Sequence, residues 1–389
     1  MIKVLHVGKY YPPEPGGMER VVQLLCESEQ PLVSSHVLAA NTRARTVHDV
    51  VHGVPVTRVA SIASIGSVGV CPTFPLALAS AQRDLTVIHE PNPLALASDF
   101  LARQQGPLVL WFHSEVLRPR WKYRLLYRPF LKRVLARAAR IVVSSPNLAA
   151  SAEELVDHQA KCVVIPFGIE PSRFAPTPER DARAAALRER NGGRPIVLFV
   201  GRLVPYKGVS VLLDSVRDLD VTTVIVGSGP MRHALERQAS GDSRVVFAGD
   251  VDEDTLAAWY RACDVFVLPS VTRAEAFGMV QLEAMAAAKP VVSTRLASGV
   301  PWVNCDRETG FVVEPSDPAA LRDAIALLMR DARLRAAMGA AGAARVAADF
   351  TVTRMAERTV ALYEQVLAEA VAGGPVVAVA GPTSTAPAR

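Results

Sequence analysis

The chain has 389 residues, half of them hydrophobic, and a formal charge of +5. That is too long for one ordinary domain and enough for two buried cores. The composition excludes a disordered or disulfide-built protein. No apolar run reaches the roughly 18 residues that span a bilayer, and Met1-Ile2-Lys3 leads straight into a strand, so neither a spanning helix nor a signal peptide is expected.

In chain order, KVLHVGKYY reads as a first strand, PPEPGGMER as a loop, and VVQLLCESEQ as a helix. Gly16 and Gly17 remove two side chains where a backbone must come close to something, although a lone Gly pair is by itself an ordinary turn. Further strands are expected at 35–40, 54–59, 86–89, 107–112, 140–144 and 162–165. They are Val-, Ile- and Leu-rich, as parallel strands covered on both faces are. His113 follows LVLWF, at a strand's C-terminal end, where open α/β sheets bind ligands. His48 and His52 are four apart in a loop-like stretch beside Asp49, and no metal site is expected from them.

From Arg118 to Arg140 the chain carries nine cations and no acid: Arg118, Arg120, Lys122, Arg124, Arg128, Lys132, Arg133, Arg137 and Arg140. Trp121, Tyr123, Tyr127 and Phe130 are interleaved with them. A solvated helix face, a nucleic-acid surface and a helix lying on a membrane all fit. The membrane reading is favoured, with Arg124, Arg128, Lys132 and Arg133 as its lipid-facing cations and no nucleic-acid partner.

Pro166 to Arg180 is Pro-rich and punctuated by Gly168, as an interdomain linker is. Strands then recur at 195–200, 222–226, 244–247, 264–268, 290–294 and 311–313, with helical patterns between, so the class is α/β with two domains. FVGRLVPYKG (Phe199 to Gly208) places Arg202 and Lys207 in a strand-to-helix loop. Two cations there fit a diphosphate leaving group. VIVGSGPMRHAL carries G-x-G, but Arg232 stands where a dinucleotide fingerprint wants its third Gly.

DVFVLPS (Asp264 to Ser270) is a strand closed by Pro269. Gly278 then permits a turn into a helix through Val280, Leu282 and Ala284 to Ala288, whose N-terminus is an anion site. Glu275 lies just before that helix and Glu283 about one turn inside it. A carboxylate at either place suits a sugar or ribose hydroxyl. The five cysteines, Cys26, Cys71, Cys162, Cys263 and Cys305, are scattered, which suits reduced thiols in the cytoplasm and no zinc site. A helix near Thr353 to Val371 is followed by a tail, Gly373 to Arg389, expected to be disordered.

PPEPGGMER, HSEV, VVIPFGIEPSRF, FVGRLVPYKG, VIVGSGPMRHAL, DVFVLPS, EAFGMVQLEAMA and TGFVV, in that order, resemble the retaining nucleotide-sugar transferases of glycosyltransferase family 4. HSEVLRPRWK and GVPWVNCDRETG look most like the bacterial surface-polysaccharide enzymes of that family, often mannosyltransferases. The resemblance implies the GT-B fold, two Rossmann-like domains facing across a cleft: an acceptor-side domain (1–170), a donor-binding domain (171–352), a helix crossing back to the first domain (353–371) and a tail (372–389).

It also implies roles. Arg202 and Lys207 stabilise the leaving diphosphate. Gly16, Gly17 and the turn Phe277, Gly278, Met279 and Val280 cradle the donor, Glu283 holds the ribose, and Glu275 and His113 contact the sugar. No cofactor and no metal are expected. The donor is a nucleotide-diphosphate hexose, GDP-mannose first, and the acceptor a lipid-linked saccharide, with the enzyme peripheral on the inner face of the cytoplasmic membrane. Ala288 stands where Gly is common and Glu115 where Asp is. A non-hydrolysing sugar-nucleotide epimerase, or a non-catalytic sugar-nucleotide or lipid-binding module, are the alternatives.

Overall fold

A computed structural model describes residues 1–65, 68–102, 106–115 and 123–373. The chain forms two compact units: residues 1–168 together with the last helix, and residues 169–351.

The first unit is built on an eight-stranded sheet in the order β10-β9-β8-β7-β1-β2-β4-β3. Its strands are β1 (Lys3–Val7), β2 (Ser34–Ala40), β3 (Val47–Val51), β4 (Val54–Val59), β7 (Leu85–Glu90), β8 (Leu108–Phe112), β9 (Arg140–Val143) and β10 (Cys162–Val164). All pairings are parallel except the edge hairpin of β3 with β4. A separate antiparallel pair joins β5 (Ala63–Ile65) to β6 (Val68–Val70).

The strands β1, β7 and β8 are buried along almost their whole length, as their unbroken apolar runs require. Strands β3, β5 and β6 carry no such run; β3 and β5 are mostly exposed, and neither was expected. His48 therefore lies on an edge strand rather than in a loop, bonded to Thr57 Oγ1 (3.1 Å), while His52 reaches Glu27 (2.8 Å). Helix Val352–Ala372 packs against helix Gly17–Glu29 within this unit. The tail from 374 onward lies outside the described residues.

The second unit has six parallel strands in the order β13-β12-β11-β14-β15-β16: β11 (Ile196–Val200), β12 (Thr222–Val226), β13 (Val245–Gly249), β14 (Val265–Leu268), β15 (Val291–Thr294) and β16 (Gly310–Val313). Its core packs Phe199, Leu212, Ile225, Val265, Val267, Val292, Ile325 and Leu328. Side chains that are poor helix formers start its helices: Asp252 accepts from Thr255 N, Asp317 from Ala320 N and Asp331 from Leu334 N, each at 2.8–2.9 Å. All five cysteines are unpaired, with Cys26, Cys71 and Cys263 buried.

The helix after Gly278 is shorter than its alanine run suggests. It spans Met279–Ala286 and stops because Ala288 turns left-handed, at φ 56°. Lys289 N then bonds Ala284 O and Ala288 N bonds Met285 O, the paired closure of a helix that ends with a left-handed residue. Glycine adopts that conformation without cost, whereas alanine loses about 1 kcal/mol there. Ala288→Gly is expected to stabilise the second unit by about 1 kcal/mol, read as a higher midpoint in urea. An unchanged or lower midpoint would show that Ala288 carries no strain.

Candidate functional site

Within the second unit, three loops meet at the C-terminal edge of the sheet. The loop after β11 and the loop after β12 are tied by backbone bonds, Leu203 N to Ser228 O (2.8 Å) and Met231 N to Leu203 O (3.0 Å). This is the work of the GSGP turn in the present fold. Gly208, at φ 67°, ends the first loop, and a Cβ on it would lie 2.0 Å from Pro269 O, so only glycine lets that loop close against the third, after β14.

That closure decides where Lys207 goes. Its Nζ lies 2.5 Å from Glu275 Oε2, with both side chains about nine-tenths buried. Ser270 Oγ, fully buried, donates to the same Glu275 oxygen at 3.0 Å, and Thr294 Oγ1 donates to the Ser270 carbonyl. Lys207 and Ser270 thus fix one carboxylate directly, and Thr294 holds Ser270 in place. Arg202 belongs to the same loop as Lys207, but its side chain is exposed.

Gly278 caps helix Met279–Ala286 at φ 75°, and a Cβ there would come within 2.6 Å of Leu268 Cδ2. The first-turn N–H groups of Met279 and Val280 begin the helix beside Glu275, and both side chains are half-buried. Phe277 does not face this edge: its ring is buried against Trp302 (6.4 Å) and Phe350 (6.2 Å). One turn along, Glu283 Oε2 accepts from Tyr260 OH at 2.7 Å. Tyr260 is wholly buried, with its hydroxyl pKa pushed well up by burial and by the Glu283 charge, so it stays a donor.

Tyr260, Ser270 and Thr294 were not anticipated. Tyr260 and Ser270 hold the recognised carboxylates and Thr294 holds Ser270, and nothing in their local sequence marks them.

In the first unit, Gly16 and Gly17 are exposed at the start of helix Gly17–Glu29. The loop before them is anchored by the guanidinium of Arg58, which donates to Tyr11 O (2.8 Å) and to Pro12 O. That helix start already holds a carboxyl of its own. Glu19 sits in the first turn, nearly buried, with its pKa raised by burial, and its Oε2 lies where a side chain on Gly16 would be.

His113 follows β8 and is buried, its pKa lowered to about 3 by burial, so it is a neutral imidazole. Beside it the end of β7 supplies Glu90, a residue not singled out beforehand. Its carboxyl is fully buried, accepts from Asn92 N at 3.0 Å, and has its pKa raised to about 8, chiefly by burial.

The basic segment is corrected in part. Residues 116–122, with Arg118, Arg120, Trp121 and Lys122, lie outside the described residues, as do the side chains of Arg124 and Leu126. Of the remaining aromatics, Tyr127 is buried, and Tyr123 and Phe130 pack on the core, so they do not face outward. Two of the cations are paired by acids from elsewhere in the chain: Arg137 with Asp99, and the buried Arg140 with Glu369 at 2.7 Å. Arg128, Lys132 and Arg133 are exposed on helix Arg128–Arg137, near exposed Leu125 and Phe100. Arg133 lies 5.4 Å from the Phe100 ring centre.

Two family descriptions match, Glycosyltransferase Family 4 over residues 15–173 and Glycosyl transferases group 1 over residues 184–345. A D-rhamnosyltransferase, WbpZ, of Pseudomonas aeruginosa is 34% identical over 90% of this chain and 92% of its own. The chain belongs to glycosyltransferase family 4. The O-antigen chain mannosyltransferase C of Escherichia coli is 30% identical over 94% of this chain and 99% of its own. Among solved structures, sucrose-phosphate synthase from Thermosynechococcus elongatus superposes with a TM-score of 0.79 at 23% identity, over 95% of this chain and all of that one. The fold is GT-B, and the chain is a glycosyltransferase most like those of bacterial surface polysaccharides.

The Lys207–Glu275 contact is testable without a substrate. Removing one member strands the other as a buried charge, at about 3 kcal/mol, whereas removing both does not. Lys207→Met and Glu275→Gln should each lower the unfolding free energy by that order, and the double variant by clearly less than their sum. Simple additivity would mean the two side chains are not coupled.

Proposed function

We propose that this family 4 enzyme is a retaining hexosyltransferase that takes mannose from GDP-mannose and passes it to a lipid-linked or saccharide acceptor in the building of a bacterial surface polysaccharide. The observation that carries the donor half of this reading is the Lys207–Glu275–Ser270 cluster beside the start of helix Met279–Ala286. A cation and a helix N-terminus favour a diphosphate, and an adjacent fixed carboxylate favours sugar hydroxyls. Rhamnose is a 6-deoxymannose, so the two relatives named above share a manno-configured sugar in their names.

The barrier to transfer is departure of the nucleoside diphosphate. Lys207 and Arg202 stabilise its developing charge, with help from the helix start at Gly278 to Val280 and from the Gly16–Gly17 loop. Binding of the phosphates draws Lys207 off Glu275. The released carboxylate then takes the hexose hydroxyls while Ser270 keeps it in place. Glu283, oriented by Tyr260, takes the ribose diol, and His113 contacts the sugar.

The acceptor hydroxyl attacks on the face the diphosphate leaves. Its proton passes to the departing phosphate oxygen as the new C–O bond forms and the old one breaks. No metal is needed, since protein cations and the helix dipole balance the leaving charge. Arg128, Lys132 and Arg133 hold the protein on anionic lipid beside a lipid-linked acceptor. Each nearby cation contributes about 1 kcal/mol.

A panel of GDP-, UDP- and dTDP-hexoses with a lipid-diphosphate saccharide acceptor tests the reading. GDP-mannose should give the fastest release of nucleoside diphosphate, undiminished by excess chelator. Preference for a UDP-sugar, or a requirement for added magnesium or manganese, would contradict it. By calorimetry, Glu283→Ala should weaken GDP binding about tenfold, as loss of hydrogen bonds to a charged group does. Glu275→Ala should not weaken GDP binding, since it frees Lys207 for the phosphates, and should lower turnover. Equal losses of affinity would refute the division of roles.

The membrane contact predicts that the protein floats with anionic vesicles at about 0.05 M salt and is released at about 0.5 M, because exposed charges are screened. Changing Arg128, Lys132 and Arg133 to Ser should abolish flotation and spare donor binding. Absence of the wild type from anionic vesicles at low salt would show that this helix face is only a solvated one.

A further inference from the structure

The inner face of the first unit's sheet carries a row of three histidines. His6 on β1, His89 on β7 and His113 just past β8 lie on neighbouring strands. The registers His6 with Val87 and His89 with Trp111 offset each histidine by two residues from the last. All three side chains therefore fall on one face along a diagonal. Their ring nitrogens meet end to end: His6 Nδ1 to His89 Nε2 at 3.0 Å, and His89 Nδ1 to His113 Nε2 at 3.0 Å.

The far end of the row is closed by Glu29, from helix Gly17–Glu29, whose Oε1 lies 2.6 Å from His6 Nε2. His6, His89 and Glu29 have no exposed surface. The rings are held flat by stacking: His6 on His89 (5.3 Å), His113 on Trp111 (5.9 Å) and on Phe167 (5.3 Å).

Buried neutral imidazoles can each hold their proton on either nitrogen, and the hydrogen bonds decide which. Burial lowers the pKa of both His89 and His113, so neither is charged. Glu29 Oε1 also accepts from Ser35 Oγ, at 2.5 Å. The His6–Glu29 contact is off the angle of a hydrogen bond, but two lone pairs could not lie 2.6 Å apart, and Oε1 already accepts from Ser35, so the proton between them sits on His6 Nε2.

With that single proton on Nε2, His6 Nδ1 is bare and receives Nε2–H of His89, the arrangement the proposal takes. His89 Nδ1 is bare in turn and must receive Nε2–H of His113. The last nitrogen, His113 Nδ1, is buried and has no hydrogen-bond partner among the described residues. The row leaves it one role, that of acceptor.

We propose that Glu29 is a positioning residue which, through His6 and His89, holds His113 in the Nε2–H tautomer so that Nδ1 accepts a hydrogen bond from a hydroxyl of the transferred sugar. The contact to sugar rests on the function proposed above; the tautomer does not. Moving the proton of His113 from Nε2 to Nδ1 would turn that outer nitrogen into a donor. It would then meet a hydroxyl as a weaker partner and leave two lone pairs facing each other further in.

Cys26 Sγ lies with the ligand atoms of His6 and Glu29 within 4.8 Å of one another. Burial raises that thiol well above its ordinary pKa, so it stays protonated and is a poor metal ligand.

Long-range proton–nitrogen correlation spectra of the histidine rings report the tautomer directly. The wild type should show His113 protonated on Nε2 and bare on Nδ1, without any donor present. Glu29→Leu should convert it to a mixture and lower turnover about tenfold at saturating donor, the worth of one good hydrogen bond. Glu29→Gln, which keeps an acceptor oxygen, should restore both. His89→Leu cuts the row at its middle, supplies the same test should Glu29→Leu fail to fold, and should likewise release His113 from a single tautomer.

Wild-type His113 protonated on Nδ1 would overturn the proposal. So would a single unchanged tautomer in the folded Glu29→Leu or His89→Leu variant, or one zinc ion bound per chain. The expected spectra without sugar transfer from any manno-configured donor would instead refute the function proposed above and leave the role of Glu29 standing.

Discussion

The loops at the sheet edge of the second unit depend on one buried contact, the ammonium of Lys207 against the carboxylate of Glu275. Two opposite charges removed from water repay their desolvation only when their geometry is fixed and their remaining capacity is filled. The second unit meets that demand with two loops that touch. Gly208 lets the loop after β11 close on Pro269, and Ser270, its carbonyl held by Thr294, then donates to the carboxylate. The parallel sheet beneath supplies rigidity, since its central strands are wholly buried and carry their loops at one edge. In the proposed function the pair holds two binding groups side by side, each neutralising the other until a ligand with a phosphate and a diol presents a better partner to both.

The first unit applies the same rule to neutral groups. A row of imidazoles in an apolar sheet face has to be bonded throughout, because any orphaned nitrogen there is costly. Glu29 and Ser35 close the inner end, and the outer end is left at His113. On the proposal made above, chemistry at the sheet edge is specified by residues deep in the core, from helix Gly17–Glu29 and from β2.

Much of this was legible in the sequence because parallel strands announce themselves. Runs such as IVLFV and VFVL are apolar without alternation, and they fixed the sheet of the second unit within a residue or two. Strand β3 escaped because VHDVV, half exposed at an edge, lacks that signature. Glu275, Glu283, Arg202 and Lys207 stood out through their spacing around loops. Ser270, Thr294 and Tyr260 did not, since their importance comes from contacts across the sheet that no local pattern encodes. The histidine row was invisible for the same reason: His6, His89 and His113 are 83 and 24 residues apart and meet only through strand order. The basic segment misled in one respect. Its lack of acids within the stretch hid the fact that Asp99 and Glu369 reach Arg137 and Arg140 from elsewhere, and its aromatic spacing was that of a helix facing a core.

The central claim is that Lys207 leaves Glu275 to stabilise a departing diphosphate. Steady-state release of nucleoside diphosphate by Lys207→Ala, with folding checked by its thermal midpoint, tests it most directly. Loss of a charge that acts on a leaving group should lower turnover about 100-fold or more while donor binding changes far less. A folded Lys207→Ala enzyme turning over at close to the wild-type rate would contradict the account.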